Sequence, residues 1–149
     1  MKKPIKIIDL FAGPGGLGEG FSAFKKNNKK KFKIDISVEK EKSACRTLTL
    51  RAFYRQFGDK VPEEYYQFIR GELGENPEDQ LYKIKRFAKQ VTKAQKEALC
   101  LTLGEDNNKI NVAINDAIGT DECMLIGGPP CQAYSLAGRA RNKGIKGYK

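Results

Sequence analysis

The residues best suited to do chemistry lie at 127–141, which read Gly-Gly-Pro-Pro-Cys-Gln-Ala-Tyr-Ser-Leu-Ala-Gly-Arg-Ala-Arg. One thiol, Cys131, stands directly behind Pro129 and Pro130, and the apolar run Cys123, Met124, Leu125, Ile126 ahead of them reads as a buried strand. Each proline fixes φ and removes a backbone donor, so neither strand nor helix continues through that corner. The thiol is thereby held on a stiff turn at the carboxyl end of a strand, where open α/β sheets keep their ligands. After it come Gly138, Gly144 and Gly147, the hydroxyls of Tyr134 and Ser135, and five cations, Arg139, Arg141, Lys143, Lys146 and Lys149, with no acid beyond Glu122. A cationic, glycine-rich segment of that kind suits contact with phosphate. A free cysteine is most often a small buried hydrophobe, but the proline corner, the strand and the basic loop together favour a nucleophile. Histidine is absent, so no Ser-His-Asp or Cys-His pair can form within the chain. A reactive thiol here must be activated by cations, a helix N-terminus or the substrate.

The element that has to face that thiol starts near the other end of the chain. Residues 5–10 are almost continuously apolar, which suits a central parallel strand covered on both faces. The strand runs out into Asp9, Leu10, Phe11, Ala12, Gly13, Pro14, Gly15, Gly16, Leu17 and Gly18. Glycines let the backbone turn tightly against a ligand, and the helix that follows can offer free N–H groups. Leu17, Phe21 and Phe24 recur at i, i+4, i+7 and predict that helix's buried face. A second strand at residues 32–38 closes on Glu39, an acid where nucleotide-binding α/β folds accept two hydrogen bonds from a ribose diol. Gly13, Gly15 and Gly18 also fit the dinucleotide fingerprint, with Glu39 lying 21 residues past Gly18. A nicotinamide-dinucleotide-binding oxidoreductase is therefore the competing reading. A dinucleotide needs the helix N-terminus open to its pyrophosphate, whereas a ligand without phosphates needs only room against the loop.

Ala44, Leu48 and Ala52 mark a further helix running to about Phe57 and ended by Gly58 and Asp59. A third strand is expected at residues 65–69, ending in Arg70, Gly71, Glu72 and Leu73. Asn76 as N-cap, Pro77 at the first helical position and Glu78 and Asp79 in the first turn start a long helix that stops before Gly104. A shorter helix at about 109–118 ends at Gly119, and residues 76–119 together read as a helical insertion. The resulting β-α-β-α-β-α-β order predicts an α/β fold: a partial parallel sheet in the order 3-2-1-4, helices on both faces and right-handed crossovers. The ligand would lie where the order reverses, beyond the ends of strands one and four. That topology brings residues 11–16 and Cys131 to one crevice.

At 149 residues, 40% hydrophobic and 31% charged, the chain has the size and composition of one globular domain. No run approaches the ~18 apolar residues of a membrane span, and Met1, Lys2, Lys3 and Pro4 lead into a strand rather than a signal peptide, so a cytoplasmic location is expected. Cys45, Cys100, Cys123 and Cys131 form no C-x-x-C pair, which suggests neither a zinc site nor a secreted disulfide framework. Twenty-eight basic residues against 18 acidic give +10, a balance that favours a polyanion such as nucleic acid and also fits a non-enzymatic nucleic-acid-binding module. Residues 123–149 carry +5, half of the total. The other cluster, Lys25, Lys26, Lys29, Lys30 and Lys31, reads as a solvated loop between elements.

Asp9, Leu10, Phe11, Ala12, Gly13, Gly15 and Gly16, taken with Gly128, Pro129, Pro130, Cys131, Gln132, Ala133, Tyr134 and Ser135, resemble the first and fourth motifs of the DNA cytosine-5 methyltransferases. Both motifs stand in that family's order, and the resemblance covers the cofactor-binding half of its catalytic domain, leaving most of residues 76–121 unmatched. It implies a Rossmann-like fold dependent on S-adenosylmethionine, with Asp9, Phe11, Ala12, Gly13, Gly15, Gly16 and Pro130 at the cofactor and Glu39 on its ribose. Glu72 would contact the adenine, with Asp116 as the fallback. It further implies that the Cys131 thiolate adds to C6 of a cytosine flipped out of double-stranded DNA, raising electron density at C5, which then takes the methyl group. Gln132 and Ser135 would face DNA, with Arg139 and Arg141 near phosphate. The family's Glu-Asn-Val motif, its later arginine motif and its target-recognition region have no counterpart among the 149 residues. The expectation is therefore an N-terminal part of a catalytic domain, completed by a C-terminal part from the same gene or a separate subunit. Its uncovered fourth strand is expected to self-associate, and a restriction-modification setting follows from the family.

Overall fold

The computed structural model describes residues 3–130. Its elements in chain order are β1 (Ile5–Leu10), α1 (Gly16–Ala23), β2 (Lys25–Lys26), β3 (Lys29–Lys30), β4 (Phe32–Glu39), α2 (Lys42–Arg55), α3 (Glu63–Ile69), α4 (Pro77–Tyr82), a 3₁₀ turn (Lys85–Phe87), α5 (Ala88–Glu97), β5 (Ala98–Cys100), α6 (Asn107–Ile118) and β6 (Cys123–Gly127). The main sheet runs β5-β4-β1-β6 with every pairing parallel, which is the expected 3-2-1-4 order in a Rossmann-like arrangement. Strands β2 and β3 form a separate antiparallel hairpin whose two central residues, Asn27 and Asn28, have φ of 52° and 59°. Positive φ at both positions is what a type I′ turn requires.

The third strand is not where the sequence placed it. Residues 65–69 belong to α3, which starts behind Pro62 with Glu63 and Glu64 in its first turn. Those are helix-start signals, and they outweigh a short aromatic and aliphatic run that periodicity alone cannot assign. The strand beside β4 is instead Ala98–Cys100, drawn from the tail of the expected long helix. No glycine or proline separates it from α5, so the switch is set by pairing with Ser37, Val38 and Glu39 rather than by local punctuation. The region read as a helical insertion thus supplies a sheet strand between its helices.

A bulge decides which side chains face which layer. Ile7 pairs with Ile34 and Ile8 with Ile36, leaving Asp35 as the extra residue of β4. The slip lets Ile34 meet Gly18 of α1 while Ile36 and Val38 join Ile8 and Ile110 on the α6 side. Lys6 fastens the same spot: its Nζ donates to the carbonyls of Ala117 (2.6 Å) and Ile118 (3.0 Å) at the end of α6 and pairs with Asp121 at 2.8 Å. A cation there also suits the negative end of the helix dipole. A second core gathers Ala52, Phe53, Leu81, Phe87 and Ala94 beneath α2, α4 and α5.

Helix α1 packs by its small residues. Gly18 and Ser22 are its buried positions, whereas Leu17 is 48% exposed and Phe24 is exposed as well. Of the expected apolar face only Phe21 is half-buried, packed on Phe32, and the closest approach falls to Gly18, where a side chain would already touch Ile34 and Asp9 at 3.0 Å. Close approach of this helix to the sheet needs the face without bulk. No helix among the described residues is long and apolar enough to cross a membrane.

Candidate functional site

The carboxyl ends of β1, β4 and β6 meet around a cleft of about 260 Å³ whose walls include Phe11, Gly13, Glu39, Leu101, Thr102 and Pro130. Phe11 leaves β1 at φ 57° with 41% of its surface exposed. An aromatic residue rarely adopts that conformation, and such strain gathers where a side chain is held for a purpose. Gly13 (φ 55°) and Gly15 (φ 91°) complete the turn, and a Cβ at Gly15 would collide with Leu48 Cδ2 at 2.8 Å. Gly16 then opens α1.

Glu39 is the keystone of the loop. Its Oε2 accepts from the Gly13 N–H at 2.9 Å, and its Oε1 accepts from the N–H groups of Lys40 (2.8 Å) and Glu41 (2.9 Å). A carboxylate offers about four lone-pair sites, so Oε2 retains acceptor capacity toward the cleft. The Glu39 carbonyl accepts from Leu101 N–H at 3.0 Å and from Cys45 Sγ at 3.1 Å, tying β4 to the end of β5 and to α2. Burial, helped by the adjacent Cys100, pushes the Cys45 thiol up to about 12, which makes it a structural donor and a poor nucleophile.

The glycine loop keeps few donors for a ligand. Ala12 N–H goes to Val38 O at 3.1 Å, Gly13 N–H to Glu39, and Gly15 N–H to Ala12 O at 3.0 Å. Beneath it lies Asp9, 1% exposed, directed at Gly18 of α1's first turn rather than lining the cleft. Neither of its oxygens finds a satisfying hydrogen-bond partner. Burial pushes its carboxyl up, and the backbone of Gly18 only partly opposes this. A buried acid at that helix start disfavours a second anion beside it.

The second segment arrives along β6. A Cβ on Gly127 would fall 2.2 Å from Leu10 O, so only glycine lets β6 close against β1 at this level. That closure carries Gly128 and Pro130 to the cleft wall shared with Phe11 and Gly13. The strand itself is more open than its apolar run predicts, with Leu125 65% exposed. Cys131, Gln132, Ser135, Arg139 and Arg141 lie outside the described residues.

Glu72 lies away from this cleft. It follows α3 and pairs with Arg70 through Nε at 2.5 Å, which holds its carboxyl below the usual range. Asp116 sits on α6 beside a separate, larger cavity of about 650 Å³ bordered by Lys33, Asp35, Lys96 and Glu97. There Asp35 is already paired with Lys6 and Lys33, and Glu97 with Arg55, so those two acids serve the fold. The cleft's third wall, Leu101, Thr102 and Leu103, escaped sequence reasoning. The available signal was Gly104 and Glu105 after an apolar run, the same pattern that Gly71 and Glu72 display. Thr102 N–H donates to Asp106 Oδ2 at 3.1 Å, and the Lys109 ammonium together with that N–H holds the Asp106 carboxyl low.

No protein-family model and no solved structure matches the chain. It is similar to the type II methyltransferase M.Bpa9945I of Bacillus paralicheniformis, with 34% identity over 154 aligned positions that cover 92% of this chain and 33% of that protein. The chain thus spans about a third of the relative's length. Set beside the parallel β5-β4-β1-β6 sheet and its cleft, this similarity supports a methyltransferase family with a Rossmann-like fold.

Proposed function

We propose that the chain is the cofactor-binding, cysteine-bearing part of a DNA cytosine-5 methyltransferase that uses S-adenosylmethionine. The observation that carries this reading is the cleft in which Phe11, Gly13 and Glu39 stand beside Pro130, the residue before Cys131. The cleft favours a ligand without phosphates, because the N–H groups of residues 12, 13 and 15 are already engaged and Asp9 lies under the helix start. This speaks against the nicotinamide dinucleotide. It suits S-adenosylmethionine: Glu39 keeps an acceptor for a ribose hydroxyl, Phe11 offers an aromatic surface to a cation, and Leu101 and Leu103 give the adenine an apolar wall.

When bound, the cofactor supplies an electrophilic methyl group on a sulfonium. The nucleophile comes from this chain. The Cys131 thiolate, favoured by the cations that follow it, adds to C6 of a flipped cytosine and forms a carbon–sulfur bond. C5 gains the electron density to take the methyl group, whose bond to sulfur breaks with the electron pair staying on the sulfur as a neutral thioether. A base then removes the C5 proton, the C6–sulfur bond breaks, and the thiolate leaves with its electron pair. Gln132 and Ser135 face the DNA, and Arg139 and Arg141 its phosphates. The one-third coverage of the relative supports a further part of the enzyme that completes the pocket and reads the target, so residues 1–149 alone are inactive in this reading. The test is trapping on duplex DNA containing 5-fluorocytosine, with S-adenosylmethionine and the completing part present. A covalent adduct is expected, and Cys131→Ser abolishes it. An adduct that survives that substitution, or calorimetric heat with NAD in place of S-adenosylmethionine, overturns the reading.

A further inference from the structure

We infer that the hairpin of β2 and β3 is an auxiliary docking ribbon for the phosphate backbone of duplex DNA, separate from the cofactor cleft. Its ladder sets Lys25 opposite Lys30 and Lys26 opposite Lys29. Like charges directly across an antiparallel pair are destabilising, so the cross-strand pairing of Lys25 with Lys30 adds no stability to the ladder. A conflict between local stability and sequence is where a functional demand shows itself. The turn holds the cations on a defined ribbon through the left-handed Asn27 and Asn28. Aromatic contacts root it, with Phe32 packing against Phe24 at 6.0 Å and Phe21 at 5.1 Å between ring centroids.

Lys25, Lys26, Lys30 and Lys31 are exposed, and among the described residues no carboxylate lies within ion-pair distance of these four. The sequence holds no acid between Glu19 and Asp35. Residues 25–31 carry no apolar side chain that could enter a bilayer, and Phe24 at the base packs on Phe32, which favours a polyanion over a lipid surface. Duplex DNA, with a charge about every 1.7 Å of its axis, matches cations packed this closely; its choice among polyanions rests on the methyltransferase reading.

Position separates the ribbon from the chemistry. It joins the end of α1 to the start of β4, at the opposite end of that strand from Glu39. The length of β4 puts it about 25 Å from the cleft. Such a contact engages DNA flanking the target or a second segment, and it adds affinity without reading sequence.

The test is Lys25→Gln, Lys26→Gln, Lys30→Gln and Lys31→Gln combined in the full-length enzyme, with affinity measured against salt on duplexes of about 12 and about 40 base pairs. On the longer duplex the slope of log affinity against log salt is expected to fall by about 2–4, at roughly 0.9 for each phosphate that is no longer neutralised. On the shorter one, about 40 Å long and centred on the cleft, it should hold. Calorimetric binding of S-adenosylmethionine should be unchanged, and the melting temperature unchanged or raised as the cross-strand repulsion is relieved. A control that neutralises Lys85, Lys89, Lys93 and Lys96 should leave the slope in place. An unchanged slope on the long duplex, an equal fall on both duplexes, or an equal effect of the control overturns the ribbon. So does loss of binding to phosphatidylserine vesicles with DNA binding intact. Failure of 5-fluorocytosine trapping overturns the methyltransferase reading instead, whatever the slopes show.

Discussion

Asp9 illustrates how a site can rest on a residue that works from underneath. Its carboxyl is buried between β1 and α1 with no satisfying partner, and burial raises its affinity for a proton above that of the unfolded chain. The sign follows directly. Below the ordinary carboxylate range, near pH 4, the group is neutral in both states and costs nothing. As the pH rises through the ordinary value and then the raised one, ionisation becomes increasingly unfavourable to the native state, and the cost persists above that window. Asp9→Asn is therefore expected to stabilise the fold at neutral pH by about 1 kcal/mol, with the gain vanishing as the pH falls toward 4. Urea titrations of both proteins across that range check it, and a gain independent of pH refutes it. The sequence marked Asp9 as a cofactor neighbour from its place in a motif. That its side chain points at Gly18 depends on the strand's parity and on the closeness of α1, neither of which is written locally. Glu39 was legible because its position at a strand end is itself the signal.

Between elements, the same distinction decides what could be foreseen. Strand β1 carries a nearly continuous apolar run and β4 a strict apolar/polar alternation, so they and their order were readable, whereas β5 is three residues of ambiguous preference that become a strand by lying beside Ser37, Val38 and Glu39. The face of α1 was misread for a related reason. Periodicity finds the apolar stripe, but the sheet accepts the stripe that allows closest approach, and in α1 this is Gly18 and Ser22. Arg55 then clamps the layer from the side, pairing with Glu19 of α1 and Glu97 of α5. Two substitutions separate the alternatives. Gly18→Val should destabilise the fold by about 1–3 kcal/mol through overpacking against Ile34 and Asp9. Leu17→Ser, at the position that periodicity assigns to the core, should change stability by no more than about 0.5 kcal/mol. Chemical denaturation of the pair settles it, and the opposite ranking would mean that α1 packs by its apolar stripe after all.

For the molecule as a whole, the sheet's two edges differ in a way that predicts behaviour in solution. The β5 edge is short and flanked by helices, with α5 immediately before it and α6 shortly after, which is one of the ways natural sheets blunt an edge. The β6 edge has no such cover among the described residues: β6 pairs with β1 alone, and Met124 and Leu125 stand exposed along it. Its five residues carry no charge that could deter a second strand. The cations that make the chain +10 lie elsewhere, and at physiological salt their repulsion is screened beyond about 8 Å, so charge does not prevent two β6 edges from meeting. A strand with this exposure is expected to be covered, either by a further part of the enzyme or by a second copy. The 149-residue chain on its own should therefore self-associate at roughly 30 μM, a concentration at which contacts of about 6 kcal/mol become populated. Leu125→Lys should shift it toward monomer by placing a charge where an incoming strand must pack. Sedimentation velocity over a concentration series tests this. A clean monomer for the unmodified chain, or association that Leu125→Lys leaves untouched, would show that the open side of β6 attracts no partner strand.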